Sequence, residues 1–389
     1  MKKPLYRVVL LTALGLLASG CSTVTDWIAP AEIDPPTELS DVAEQVSVQT
    51  VWSRDVGGSG DQRLALVPRY HEGRLYTADA DGKVNALDAA SGKVIWSVSL
   101  DLPLSGGPGV GEGLVLLGTT DAEVVALSLS NGQEVWRARV SSEVLSTPVA
   151  ALGHAVVRTI DGKVFGLDAR DGSEQWRFER EIPTLTLRGT STPVISGSSV
   201  LCGMAGGRLL ALDIRSGNVI WDAAVSVPSG RSELERLSDI DGAPLLMDGV
   251  VYVATYQGDV AAMGERNGSL LWRRKFSTYA GMAADRYQVY ASDADGLMWA
   301  LDADNGTAGW RQEGLRNRQL SDVAVISGVV AVGDFEGYVH FLSPEDGSLI
   351  GRTRVGSEPI MRGMLVAQDL LFVQGEGGEL EALRVAPGR

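Results

Sequence analysis

Gly82–Trp96 reads GKVNALDAASGKVIW, and this stretch returns with drift along most of the chain. Gly162–Trp176 (GKVFGLDARDGSEQW), Gly207–Trp221 (GRLLALDIRSGNVIW) and Gly296–Trp310 (GLMWALDADNGTAGW) are close copies. Looser copies begin at Ala122, Gly258 and Gly337, and an eighth, GELEALRV from Gly378, stops before its turn. Starts at 82, 122, 162, 207, 258, 296, 337 and 378 give steps of 40, 40, 45, 51, 38, 41 and 41 residues. A period near 40 decides the architecture before any single residue does.

Each unit holds a strand, a tight turn opened by Asp or Ser and containing Gly, and a second strand ending on tryptophan. The acidic or hydroxyl side chain caps backbone amides in the turn, and Gly supplies a positive φ there. The remaining half of each unit is also strand-like: Leu114–Gly118 (LVLLG), Gly249–Ala254 (GVVYVA) and Val329–Gly333 (VVAVG) are short β-branched runs bounded by Gly and Asp. No amphipathic helical pattern lies between them. The expected fold is all-β: an eight-bladed β-propeller with four-stranded antiparallel blades. Val48–Val56 carries the strand and tryptophan that end a repeat, and Glu379–Val385 carries the beginning of one. Joined, they complete a blade, so N- and C-terminal strands close the ring and leave no open edge.

The periodic tryptophans 52, 96, 136, 176, 221, 272 and 310 read as structural, each burying a ring between adjacent blades. The seventh repeat has Gly351 at that place, which predicts a thinner contact.

The repeats overrule the two or three domains that 389 residues would otherwise suggest. The net charge of -15 offers no basic stripe for phosphates and excludes nucleic acid as a partner. Residues 1–20 read as a signal peptide: Lys2, Lys3 and Arg7 precede an apolar Val8–Leu17 too short to span a bilayer. Leu17-Ala18-Ser19-Gly20-Cys21 resembles a bacterial lipobox, with Ala18 where Leu is usual. The resemblance implies cleavage before Cys21, lipidation of Cys21 and, with Ser22 following, sorting to the outer membrane. Residues 21–46, with Pro30, Pro35 and Pro36, read as a lipidated cysteine and flexible tether, and 47–389 as the propeller. The other cysteine, Cys202 in VLCGM, reads as a buried inert thiol.

Two steps exceed the period. Extra residues fall near Arg180–Pro193 (REIPTLTLRGTSTP) and within Val225–Gly242, which contains SGRSELERLSDIDG. Longer loops on one face of a repeat array are either tolerated insertions or binding segments. With the signal peptide, tether and eight repeats, these segments resemble the BamB family, lipoproteins of the outer-membrane β-barrel assembly machine with PQQ-type propeller repeats. The most specific parts are LTLRG at Leu185–Gly189 and RLSDID at Arg236–Asp241. In that family the two segments dock onto the POTRA domains of BamA. The resemblance implies the same role for Leu185, Leu187 and Arg188, and for Asp239 and Asp241. It also implies scaffolding of outer-membrane protein insertion alongside other Bam lipoproteins, with unfolded outer-membrane proteins as clients, and no enzymatic activity.

Two other classes compete. The repeat also resembles the tryptophan-docking repeats of pyrroloquinoline quinone dehydrogenases, which need a carboxylate-bound calcium, a catalytic Asp and often a vicinal disulfide. No adjacent cysteines occur here, and the shared repeat reflects blade packing rather than catalysis. A glycan-binding propeller would need exposed aromatics on one rim, yet aromatics are 6% of the chain. His71, His154 and His340 lack metal-ligand spacing, and Ser105–Gly113 lacks the GK[ST] ending of a P-loop. No catalytic residue, cofactor or metal is expected.

Overall fold

The computed structural model describes residues 34–60, 64–183, 185–187, 189, 191–228, 231–232 and 234–388. All regular elements among them are strands, arranged as eight sheets, each with four antiparallel strands. Blade 1 holds Arg69–His71, Arg74–Ala78, Lys83–Asp88 and Val94–Ser99, and the next six blades repeat that order along the chain. Blade 8 takes Met364–Ala367, Leu370–Gln374 and Glu379–Pro387 from the C-terminus, and Val46–Asp55 from the N-terminal side as its fourth strand. Its first strand touches those of blade 7 (Val323–Ile326) and blade 1, so the ring is closed.

The turn between the third and fourth strands shows why its residues recur. The Asp88 carboxylate accepts the Ser91 amide at 2.9 Å, and Asp213 and Asp302 cap the same turn in their blades. Each of the seven periodic tryptophans donates its indole N–H to a carbonyl in the matching turn of the next blade. The seven acceptors, at 2.8–3.2 Å, are Ala89, Leu129, Ala169, Ile214, Glu265, Ala303 and Pro344. The turn glycine has a second task besides its positive φ. A Cβ on Gly92, Gly132, Gly172, Gly217, Gly268, Gly306 or Gly347 would lie 2.4–2.7 Å from the preceding blade's tryptophan ring. Within its own blade each tryptophan stands opposite Ala or Gly, as Trp96 opposite Ala86 and Trp176 opposite Gly166. Small residues on both sides therefore admit one large ring, whose burial contributes about 2–3 kcal/mol per seam.

The seam between blades 7 and 8 departs from the expectation of a thinner contact. Gly351 stands opposite Phe341, so bulk and space have changed strands. Phe341 is fully buried, and Val46 of the N-terminal strand sits where the indole would lie, its Cγ2 2.3 Å from a hypothetical Gly351 Cβ. The reason is topological. Val385, the counterpart of Ala89, pairs with Val48 and continues its strand, so blade 8 has no turn onto which a tryptophan could dock.

Within the stretch read as a tether, Thr37–Gln45 belongs with the ring. The Thr37 amide donates to Arg316 O at 3.0 Å and the Gln45 amide to Ile350 O at 2.7 Å. Beneath this stretch is a buried network. Arg318 donates to Asp334 Oδ2 (2.7 Å) and to Thr37 O (3.1 Å). His340 Nε2 lies 2.9 Å from the same carboxylate oxygen. Arg352 donates to His340 Nδ1 (3.1 Å) and to Ser40 O (3.0 Å). Since Arg352 can only donate, His340 accepts at Nδ1 and carries its proton on Nε2, as a neutral imidazole. Burial holds His340 below its usual range.

Candidate functional site

Four strands of alternating direction bring the chain back to the face it started from. Every link from a fourth strand to the next blade therefore lies on one face of the ring. Both longer segments are such links, and they flank blade 4. The first joins Glu174–Phe178 to Val194–Ser196, and the second joins Val219–Ala224 to Leu245–Met247.

The two segments meet over the second strand of blade 4, Ser199–Met204. Gly203 of that strand forms the floor. A Cβ there would lie 2.5 Å from Ile240 Cγ2 and 2.6 Å from Ser191 Oγ, so only glycine lets both segments settle. Ser191 donates across the join to Gly242 O at 3.0 Å. Asp239 ties the rest. Its carboxylate accepts the Leu187 amide at 2.6 Å and the Gly206 amide at 2.8 Å, while its own carbonyl accepts the Tyr256 amide at 3.0 Å. From below, Arg158 Nη1 donates to Gly189 O at 2.9 Å.

Of the five residues expected to dock, the structure brings Leu185, Leu187, Asp239 and Asp241 onto adjoining segments. Arg188 lies outside the described residues, as does Cys21. Leu185 is 42% exposed, and Ile182 in the same segment is also exposed, as are Val227 and Leu234 in the second. Leu187 is half-buried and lines a cavity of about 440 Å³ at the ring's centre. Asp241 lines it too, and its Oδ2 is 3.1 Å from Arg362 in the link between blades 7 and 8. That ion pair joins two links three blades apart.

Asp239 is 3% exposed, with its carboxylate turned inward onto the Leu187 and Gly206 amides. Burial pushes its pKa up, and the two amides oppose that shift. Burial likewise pulls the Arg158 guanidinium down, against the fields of Cys202, Asp241 and Asp239. The Cys202 thiol beside it is pushed up to about 12 by burial, so it is not a nucleophile at neutral pH.

Sequence reasoning missed two further features. A short strand, Ala65–Leu66, runs parallel to Gly106–Gly107 as a fifth strand of blade 2, and its leucine lines the central cavity. The other is Arg158. Four residues before each repeat start stand Ala78, Gly118, Arg158, Gly203, Ala254, Ser292, Gly333 and Gln374. A large side chain at a position otherwise mostly small was a readable signal.

A family model described as outer membrane protein assembly factor BamB matches residues 44–104, 80–312 and 294–389. The chain belongs to the BamB family. It is 53% identical to the outer membrane protein assembly factor BamB of Alkalilimnicola ehrlichii, over 90% of this chain and 91% of that protein. It is 50% identical to the protein of the same name from Pseudomonas aeruginosa, over 98% and 99%. Its fold matches the crystal structure of BamB from Moraxella catarrhalis with a TM-score of 0.80 and 25% identity, covering 87% of this chain and all of that one. A quinohemoprotein alcohol dehydrogenase from Comamonas testosteroni matches with a TM-score of 0.67 at 12% identity, covering 86% of this chain and 76% of that one. That second likeness concerns the propeller alone.

Proposed function

We propose that this protein is a non-enzymatic scaffold of outer-membrane protein assembly. It is lipid-anchored through Cys21 at the periplasmic face of the outer membrane and docks on the POTRA domains of BamA. The observation that carries this reading is the 50% identity, over 98% of the chain, to a protein named as an outer membrane protein assembly factor. The geometry supports it. The two segments that break the repeat length are hydrogen-bonded into one surface, with exposed Leu185 as an apolar anchor on the first segment and Asp241 on the second. A central apolar residue with charged neighbours is the composition of a specific protein interface. Clients are unfolded outer-membrane proteins, for which the blades' outer strands offer edges with apolar pairs such as Val219–Ile220 and Leu270–Leu271.

The test is capture of detergent-solubilised BamA by the full-length lipoprotein. Wild type binds; Leu185→Ala/Leu187→Ala/Arg188→Ala, folded by circular dichroism, loses binding at least about tenfold. Equal capture by both removes the site assignment, and no capture by wild type removes the BamA reading.

A further inference from the structure

We infer that Asp239 and Arg158 are positioning residues that shape the Leu185–Gly189 loop from behind, rather than groups that touch the partner. This rests on the docking role proposed above for that loop.

Three observations carry it. The first is the direction of the Asp239 carboxylate. Each of its oxygens accepts a backbone amide, one from Leu187 in the loop (2.6 Å) and one from Gly206 in blade 4 (2.8 Å). A carboxylate spent on two amides and 3% exposed has little surface left for a partner. It does fix where the Leu187 backbone runs, and Leu187 is the residue that reaches the central cavity.

The second is Arg158. It is 6% exposed and donates to Gly189 O at the far end of the same loop. A Cβ on Gly189 would lie 3.2 Å from its Nη2, so glycine lets the loop rest on the guanidinium. Its Nε has no hydrogen-bond partner among the described residues. A buried cation that leaves a donor unmatched is costly and contributes little to stability. It occupies a repeat position held elsewhere by Ala, Gly, Ser or Gln, where the fold itself asks for no cation.

The third is that the two residues act on the same short loop, two positions apart. Asp239 holds Leu187, and Arg158 holds Gly189. The Gly189 amide donates back to Leu187 O at 2.7 Å, so the two held positions are also tied to each other. Between a carboxylate and a guanidinium, the backbone at Leu187 and Gly189 is held before any partner arrives. Preorganisation of this kind raises affinity without adding a contact.

The experiment compares Asp239→Asn, Arg158→Met and Leu185→Ala in the full-length lipoprotein. Binding to full-length BamA is read at low and high salt, and amide hydrogen exchange over residues 182–191 is read in the free protein. Asn can accept one amide but not both, and Met keeps the arginine stem's volume so that the blade stays packed. Both variants are expected to weaken binding about tenfold, by the same factor at low and high salt, and to speed exchange in the loop. Leu185→Ala weakens binding without changing exchange. If the Asp239→Asn deficit shrinks at high salt while exchange stays slow, Asp239 is a screened partner contact and the inference is wrong. If Arg158→Met fails to fold, Arg158→Lys takes its place. Lysine reaches Gly189 O without the planar support, so intermediate exchange is expected, and wild-type exchange overturns the role of Arg158. Should wild type not bind BamA, the docking reading fails, while loop exchange still decides whether Asp239 and Arg158 hold the loop.

Discussion

Seven seams of the ring are closed by an indole that reaches into the next blade's turn; between blades 7 and 8 a phenylalanine and an N-terminal valine do that work. The tryptophan solution needs a carbonyl, a turn glycine and a small residue opposite, all supplied by a continuous chain. Blade 8 is built from both ends of the propeller chain, so the turn is missing and the solution changes. Volume is conserved across the change: Phe341 is large where other blades have Ala or Gly, and Gly351 is small where they have Trp. A repeat architecture thus specifies a filled seam rather than a particular residue.

Truncation tests that equivalence, with the largest effect expected. Trp136→Ala and Phe341→Ala are each expected to cost about 3–5 kcal/mol, the usual range for a buried aromatic whose cavity does not collapse. Trp136→Ala also leaves Ala169 O without its indole donor. Chemical unfolding followed by tryptophan fluorescence and by circular dichroism measures both. If Phe341→Ala costs below about 1 kcal/mol, the eighth seam is held by its strand pairing alone and the comparison fails.

The two seam types also differ in charge. Around the indole seams the carboxylates are turn caps such as Asp88, whereas the N-terminal stretch leading to Val46 is held by buried Arg318, Asp334 and His340 together with Arg352, with the Tyr338 ring beside the imidazole. Burial keeps His340 below its ordinary 6.5. A base whose folded pKa is depressed stabilises the fold above the unfolded value, and that stability is lost as pH falls toward the folded value. Asp334 is likewise held below its usual range by His340 and Arg318, against the effect of burial, so its contribution is lost in stronger acid. Wild-type stability is therefore expected to fall as pH drops below about 6.5, the ordinary value from which His340 is depressed. His340→Gln should flatten that part of the curve, and Trp136→Ala should leave its slope intact. An unchanged slope in His340→Gln would place the acid sensitivity elsewhere.

The ring was legible from the sequence because its contacts repeat. The spacing of glycine and tryptophan states which turn receives which ring, and Trp52 with the incomplete copy at Gly378 states where the circle closes. The compensation at Gly351 was not legible in the same way, since it needs the register that sets Gly351 opposite Phe341 and brings Val46 from some 300 residues away. The docking face divides similarly. Its two segments announced themselves as departures from the period, and exposed Leu185 follows from an apolar residue in a link. The burial of Asp239 was not legible, because a carboxylate in a loop reads as a surface group, and its inward turn depends on the Gly206 and Leu187 amides, 33 and 52 residues away. Arg158 lies in a strand that otherwise reads as core, and only comparison across the repeats separates it from its neighbours.

The smallest effect sharpens the comparison most. Gly351→Ala inserts one methyl 2.3 Å from Val46 Cγ2, and a β-branched valine on a paired strand has few rotamers in which to retreat. A cost of about 1 kcal/mol is expected for Gly351→Ala alone. In Val46→Ala the second site has room, so the same methyl should cost nearly nothing, and the double-mutant cycle should return a coupling close to the whole penalty. Gly351→Trp in the Val46→Ala background should still give no gain. An indole there finds neither a turn carbonyl nor a turn glycine, because Val385 is engaged with Val48. Stabilisation by that tryptophan would show that volume alone closes a seam. Its absence would assign the rest of the seam energy to the turn that receives the indole.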